Sequence, residues 1–272
     1  MASVVELNIH PVKGCSAVPA TEAVLTDAGL AHDRSFLVVD EHGVFRSQRT
    51  DPRLAVVHAG IDADGRRLTL RADGVEDFGL DVDIEAPRVD VEMFKLPYRG
   101  IDQGAEVAAW LTEALGAPSR LVRVPPEHDR VTGGLTAGTA AYADSAAMLM
   151  LSRASLDELN TRIGERGGDP LPMTRFRPTI VVDGWDTAHR EDDIRRAVIG
   201  DTELGFAKQC GRCVVTTVDQ QSGVKSGPEP LRTLATYRRG DSGGVMFGAL
   251  FAVLRTGKLA VGDTVDVTEW AD

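Results

Sequence analysis

The sequence predicts a β-rich α+β fold made of two consecutive units, and three observations predict it. Short β-branched stretches bounded by Gly, Pro, Asn and Asp recur along most of the chain, the pattern of strands joined by tight turns. Only three segments carry a helical period, and they do not alternate with strands as a parallel βαβ sheet requires. A stretch rich in Pro, Gly and Thr, Val124 to Asp144, has no period and lies between the two runs of strands.

In chain order, "SVVELNIHPVKG" reads as a strand stopped by Pro11. "SFLVVDEHGVFRSQR" has the form of a hairpin turning at Glu41-His42-Gly43, and "GIDADGRRLTLRA" repeats the device at Asp64-Gly65. "GAEVAAWLTEALG" places Val107, Trp110, Leu111, Ala114 and Leu115 on one helical face and closes at Gly116, a residue suited to the position after a helix. Val124 to Asp144 is a linker or a site loop, so the expected units are residues 1–123 and 124–272. Beyond it, Ser155-Leu156-Asp157-Glu158 is a capping-box pattern for a helix carrying Leu156, Leu159 and Ile163 and ending at Gly167-Gly168. "RFRPTIVVDG", "CVVTTVD" and "FGALFAVLRTGKLAVGDTVDV" are expected strands, with "LRTLATYRR" a helix among them.

The 272 residues are 43% apolar, enough to bury a substantial core. With 30 Lys+Arg against 41 Asp+Glu the net charge is -11, which argues against a nucleic-acid partner held by phosphate attraction. The start lacks a signal peptide's basic and apolar regions, and no apolar run reaches membrane-spanning length, so a soluble cytoplasmic protein with no membrane partner is expected. Three cysteines are too few for a disulfide framework and fit a reducing compartment.

Two of those cysteines, Cys210 and Cys213, stand three residues apart in "QCGRCVVTTVD". A structural zinc site needs four ligands, and the chain offers no second C-x-x-C and no H-x₃₋₅-H. A thioredoxin-like pair belongs at a helix N-terminus, whereas the β-branched run here places the pair at the beginning of a strand. Two readings stay open on residue types alone. Both thiols are small buried hydrophobes, or a thiolate flanked by Lys208 and Arg212 holds a soft metal that carries an anionic organic ligand.

"HPVKGC", "GLAHDRSFLVVDEHGVFRSQRTDPRL", "AAYADSAAMLMLSRASLDELNTR", "RFRPTIVVDG", "CGRCVVTTVD", "EPLRTLATYRR" and "FGALFAVLRTGKLAVGDTV" together resemble, in order and over nearly the whole chain, the MOSC-domain family in its amidoxime-reducing branch. The resemblance implies an N-terminal MOSC β-barrel domain followed by a MOSC domain, and a bound molybdenum cofactor, Mo-molybdopterin. It implies that the Cys213 thiolate is the protein ligand of molybdenum. It places the pterin and its phosphate on Lys13, Gly14, Arg34, Ala143, Asp144, Ser145, Arg177, Gly211 and Arg212, a set rich in the forks and point charges that suit phosphate. Departures from the family pattern are Thr179 in place of an asparagine and Leu250 in place of a tyrosine.

The implied activity is reduction of N-hydroxylated small molecules: amidoximes, hydroxylamines and N-hydroxylated base analogues. Electrons are expected from a separate flavin or iron–sulfur donor protein. His32 and Asp33 stand beside Arg34 as candidate proton donors. The family also carries looser associations with pyridoxal phosphate binding and detoxification. Two other readings keep the same residues: a cofactor-handling or persulfide sulfur-transfer protein using Cys213, and a binding module in which the cysteines only pack.

Overall fold

The computed structural model describes residues 1–241 and 243–271. Its largest sheet has eight strands in the spatial order Val18–Ala20, Ser3–Ile9, Ile180–Asp183, Met148–Ser152, Val245–Arg255, Thr202–Arg212, Ile194–Ile199 and Val265–Trp270. Neighbours are antiparallel except Met148–Ser152 with Ile180–Asp183, the one parallel pair among the described strands. A parallel pair needs a long crossover, and helix Arg153–Gly164 supplies it. The first strand returns against the last: Val4 N donates to Asp263 O at 2.9 Å and Val265 N to Ala2 O at 2.9 Å, which curls the sheet into a barrel. Its interior is filled by Val4, Leu7, Met150, Ile180, Leu204 and Phe251.

Strand Met148–Ser152 is buried on both faces, so it reads as an unbroken apolar run rather than an alternating one. Met148 and Met150 point into the barrel, Leu151 packs beneath the crossover helix, and Leu149 faces the cavity described below.

The second unit joins a four-stranded sheet, ordered Phe36–Val39, Arg120–Arg123, Leu96–Asp102, Arg88–Met93, to a meander of His58–Ile61, Arg67–Ala72 and Val75–Asp81. Helix Ala105–Leu115 presents the expected face, with Val107, Trp110 and Leu111 packed against Leu54, Leu68 and Leu70. The hairpin at residues 40–43 turns where expected because Asp40 Oδ1 accepts from His42 N and Val44 N, both at 2.9 Å.

Strand pairing links the two expected units, residues 1–123 and 124–272. Strands Ser3–Ile9 and Val18–Ala20 sit in the barrel sheet, and Glu22–Thr26 pairs with Gly257–Ala260. The chain thus starts in the barrel, builds the second unit, and returns. The exits and re-entries of this path lie along one seam, and Lys13, Arg34 and Asp144 are all on it.

Three local expectations are corrected. The crossover helix begins after Ser152, whose Oγ accepts from Ser155 N at 3.1 Å, so Ser155 and Glu158 are not the capping pair. The reason is remote in sequence: the buried carboxylate of Glu191 accepts from Ser152 N at 3.1 Å, Ser152 Oγ at 2.8 Å and Ser155 Oγ at 2.7 Å. "CVVTTVD" is not a strand; Val214–Thr217 is a 3-10 turn, and the cysteine pair sits at the end of strand Thr202–Arg212. Thr216 Oγ1 donates to Cys213 O at 2.9 Å and Thr217 Oγ1 to Val214 O at 2.7 Å, so the threonines that favoured a strand instead fold back on the main chain. The expected helix in "LRTLATYRR" is helical only over Leu231–Leu234, because Arg238 O accepts from Met246 N at 2.8 Å and draws the segment toward the sheet.

Glu191 is fully buried, and burial raises its pKa while the serine donors oppose the rise. Glu191→Ala strands Ser152 N and removes the charge facing the helix N-terminus, so a loss of about 2–4 kcal/mol is expected in urea unfolding. Glu158→Ala, which removes the residue the capping-box pattern singles out, is expected to cost only about 0.5 kcal/mol.

Candidate functional site at the seam of the two units

The strand Ser3–Ile9 ends at His10-Pro11, and the chain turns through Gly14, whose φ of +87° suits a glycine. Lys13 is thereby buried, with Nζ donating to Tyr142 O at 2.8 Å and paired with Asp144. Arg34 and Arg177 both hold left-handed backbone, at φ +48° and +56°, which costs an L-residue with a side chain roughly 1–2 kcal/mol. Their surroundings impose it. Arg34 N donates to His10 O at 2.7 Å, Nη2 donates to Arg177 O at 3.3 Å, and Nη1 pairs with Asp33. Arg177 closes the turn Met173–Phe176 and donates from Nη1 to Gln220 Oε1 at 3.2 Å. Strained non-glycine backbone of this kind collects at ligand sites.

The loop carrying Ala143, Asp144 and Ser145 belongs to the aperiodic stretch. Arg130 braces it, donating from Nη1 to Ala141 O at 2.9 Å and Ala143 O at 2.5 Å, and from Nη2 to Asp144 O at 3.0 Å. On the opposite wall, the pairing of Thr202–Arg212 with Val245–Arg255 shifts register between Gln209 and Gly211. That bulge breaks the two-residue alternation and turns Cys210, Gly211, Arg212 and Cys213 onto one cavity. Arg212 donates from Nε to Phe247 O at 2.9 Å and from Nη1 to Phe176 O at 3.3 Å, leaving Nη2 buried without a protein partner.

The cavity has a volume of about 430 Å³, and all ten residues singled out from the sequence line it: Lys13, Gly14, Arg34, Ala143, Asp144, Ser145, Arg177, Gly211, Arg212 and Cys213. Lys208, read from the sequence as a cation flanking the cysteine pair, lines it as well, while Arg49, Arg175 and Met246 are lining residues that sequence reading missed. Arg49 stands inside the quoted "FRSQRTDPRL", so its signal was present but unassigned. Seven cations, Lys13, Arg34, Arg49, Arg175, Arg177, Lys208 and Arg212, face a single lining carboxylate, Asp144. In a chain of net charge -11 this is a concentrated reversal of sign.

Titration directions follow from that crowding. Burial and the neighbouring Arg34 push Arg177 down to about 10. Burial lowers Lys13 as well, with Asp144 opposing. For Asp144, burial would raise the carboxyl, but Lys13 and then Arg49 and Arg34 win and hold it at about 2. Asp144 lines the cavity with its side chain 53% exposed. It is an anchored counter-ion, not an acid available at neutral pH.

The two thiols separate. Cys210 and Cys213 flank nearly extended backbone, which sets Cα atoms three residues apart at roughly 10 Å, beyond the roughly 7 Å limit for a disulfide. Burial raises Cys210, with Arg212 opposing. Cys213 stands at the corner between strand and turn, fixed by Thr216 N donating to its carbonyl at 3.1 Å. Cys15 is a core residue beside Val12 and Leu54, and burial pushes its thiol up to about 12.

Neither candidate proton donor faces the cavity. His32 Nε2 lies 3.0 Å from Ala63 O, and buried Asp33 accepts from His10 N at 2.7 Å and pairs with Arg34. Thr179 does line the cavity, but its Oγ1 accepts from Leu149 N at 3.0 Å; Leu250 adds an apolar surface.

This donor set fits a group that is anionic at one end and binds a thiolate at the other. Gly211 leaves its face open, since an added Cβ would meet only Met246, at 3.8 Å and beyond. Among the described residues no three His, Cys, Asp or Glu side chains gather as a metal cage. A metal at Cys213 would therefore take its other ligands from an organic partner.

A strand-built cavity with two lining thiols, an open glycine and a cationic wall is the type of site that suits an anionic cofactor of an oxidoreductase. Residues 1–118 match the MOSC N-terminal beta barrel domain and residues 137–266 the MOSC domain. The chain is 35% identical to the mitochondrial amidoxime-reducing component 1 of Homo sapiens over 97% of its own length and 82% of the relative's. It is 35% identical to the mitochondrial amidoxime reducing component 2 of Rattus norvegicus, over 97% and 83%. The chain belongs to this MOSC-domain family and is by class a molybdenum-dependent reductase. The relatives' names read mitochondrial, while no helix among the described residues is long and apolar enough to cross a membrane.

His10 reports on the arginine pair. It is buried against Asp33, Arg34 and Arg177, and burial with the two arginines pushes its imidazole from 6.5 down to about 3, against the pull of Asp33. The native state keeps it neutral while the unfolded chain takes up a proton below about pH 6.5. Its contribution is therefore present above that pH and falls as the pH drops toward 3. Denaturant titrations from pH 7 to 4 are expected to show wild type losing up to about 1.4 kcal/mol per pH unit more than His10→Gln. Parallel curves would contradict this.

Proposed function

We propose that the chain reduces N-hydroxylated small molecules, amidoximes among them, with a molybdenum cofactor held at the seam and electrons from a separate flavin or iron–sulfur donor protein. The observation that carries the reading is the Cys213 thiol on the wall of a cavity where seven cations face one carboxylate. The relatives named amidoxime-reducing components support the substrate class. When bound, the cofactor supplies the two-electron chemistry that removes oxygen from an N–O bond, which no side chain here provides.

The chain's own residues do the holding. Lys13, Arg34, Arg49 and Arg177 would neutralise the phosphate, with Arg forks giving paired hydrogen bonds and Lys a point charge. Arg212 Nη2 has no protein acceptor and would donate to the cofactor beside Gly211, where the backbone is open. Ala143 and Ser145 flank Asp144 on the loop braced by Arg130 and would meet the pterin edge through main-chain groups other than the Ala143 carbonyl, which accepts from Arg130. Cys213 would supply the thiolate, and Leu149, Val215, Met246 and Leu250 give the same cavity apolar surface.

Overall, one N-hydroxylated molecule, two electrons and two protons give the reduced nitrogen compound and one water. Asp144, held at about 2, stays ionised and donates neither proton at neutral pH. A cytoplasmic location belongs to this reading, supported by three cysteines that are all free.

Protein made in a host that assembles the cofactor is expected to contain molybdenum as wild type and as Cys210→Ala, and to lose it as Cys213→Ala. Loaded wild type is expected to turn over benzamidoxime with a chemically reduced dye. Retention in Cys213→Ala with loss in Cys210→Ala would overturn the ligand assignment. Loaded protein that reduces no N-hydroxylated compound, or a mass gain of one sulfur on Cys213 without molybdenum, would favour cofactor handling or sulfur transfer instead.

A further inference from the structure

The hairpin joining strands Arg88–Met93 and Leu96–Asp102 turns in two residues, Phe94 and Lys95, with Met93 paired to Leu96. Both turn residues are left-handed, at φ +57° and +63°. That is the backbone of a type I′ turn, which favours Asn-Gly because each position crowds a Cβ against a carbonyl. A phenylalanine there is an outlier in residue choice.

What surrounds the strained tip is the cationic wall. The Phe94 ring centroid lies 5.4 Å from Lys13 Nζ and 5.2 Å from Arg49 Cζ. Both cations line the cavity, and both reach Asp144. The ring is steadied by Phe45, with centroids 4.7 Å apart, and Phe45 is itself tied to the hairpin by its N–H donating to Glu92 O at 2.9 Å. Phe94 remains 38% exposed, so it is not in the core, and it stands behind two lining cations without lining the cavity itself. A turn selected for stability alone would carry neither residue. The aromatic face over two cations gains strength where water is kept away.

We propose that Phe94 is a cofactor-retaining residue: from the hairpin tip its ring covers Lys13 and Arg49 and shields from water the contacts they make to the cofactor's anionic end. The proposal rests on the function proposed above. Release of an anion from this wall requires Lys13 and Arg49 to be rehydrated, and the ring stands over both. The strained turn is what brings it there.

The test uses molybdenum-loaded wild type, Phe94→Ala, Phe94→Tyr and the double variant Phe94→Asn/Lys95→Gly. Each is diluted, and protein-bound molybdenum is followed with time alongside the melting temperature. Phe94→Ala is expected to release molybdenum about tenfold faster, the size of a desolvated cation–π contact. Phe94→Tyr, which keeps the aromatic face, is expected to release at the wild-type rate. The double variant has the residues a type I′ turn prefers, so it is expected to melt about 2–4 °C higher and yet release as fast as Phe94→Ala. A ring that only packs on Phe45 predicts the opposite pairing, a lower melting temperature and unchanged release, and that result would overturn the proposal. Loaded wild type with all variants releasing alike would sink this proposal alone. Wild type that never contains molybdenum would sink the proposed function together with it.

Discussion

Seven cations share one concave site in an acidic chain, and the local architecture follows from keeping them there. Like charges this close repel and are costly to bury, so the buried ones are tied down by particular partners. Asp33 holds Arg34, Asp144 sits between Lys13 and Arg49, and Asp219 accepts from Arg175 at 3.1 Å. Arg212 is held by two main-chain carbonyls instead, which leaves its charge uncompensated and one buried N–H free. With seven cations lining the cavity against one carboxylate, the partners do not cancel the field, and the remainder favours an anion.

The fold serves this arrangement through its path. Because the first strand belongs to the barrel closed by the last, Lys13 and Arg34 leave the barrel beside the loop that brings Asp144 back. Two left-handed arginines and a register shift before Gly211 then aim side chains that regular strands would point elsewhere. Strain at these positions is held by hydrogen bonds that the two arginines donate to His10 O, Gln220 Oε1 and Thr174 O in the 173–176 turn.

Much of this was legible in the chain. The apolar face of helix Ala105–Leu115 and the turn at residues 40–43 follow from local spacing and from side chains that bond within a few residues. Resemblance brought together ten residues that the structure sets around one cavity. What escaped were features decided by distant partners. Glu191 caps a helix from 36 or more residues away, so the local Ser155–Glu158 pattern misled. Thr216 and Thr217 bond back to the main chain, so a β-branched run became a turn. The hairpin at Phe94-Lys95 carries none of the residues its turn favours, and its Phe94 ring instead lies over Lys13 and Arg49, partners distant in sequence.

The central claim is that one thiol of the pair, Cys213, joins the metal while Cys210 only neighbours it. Molybdenum-edge X-ray absorption on loaded protein reads the metal's sulfur neighbours directly. Cys213→Ser, in whatever fraction stays loaded, should lose one sulfur neighbour, while Cys210→Ser should give the wild-type spectrum. Loss of a sulfur neighbour in Cys210→Ser, with none lost in Cys213→Ser, would contradict the account.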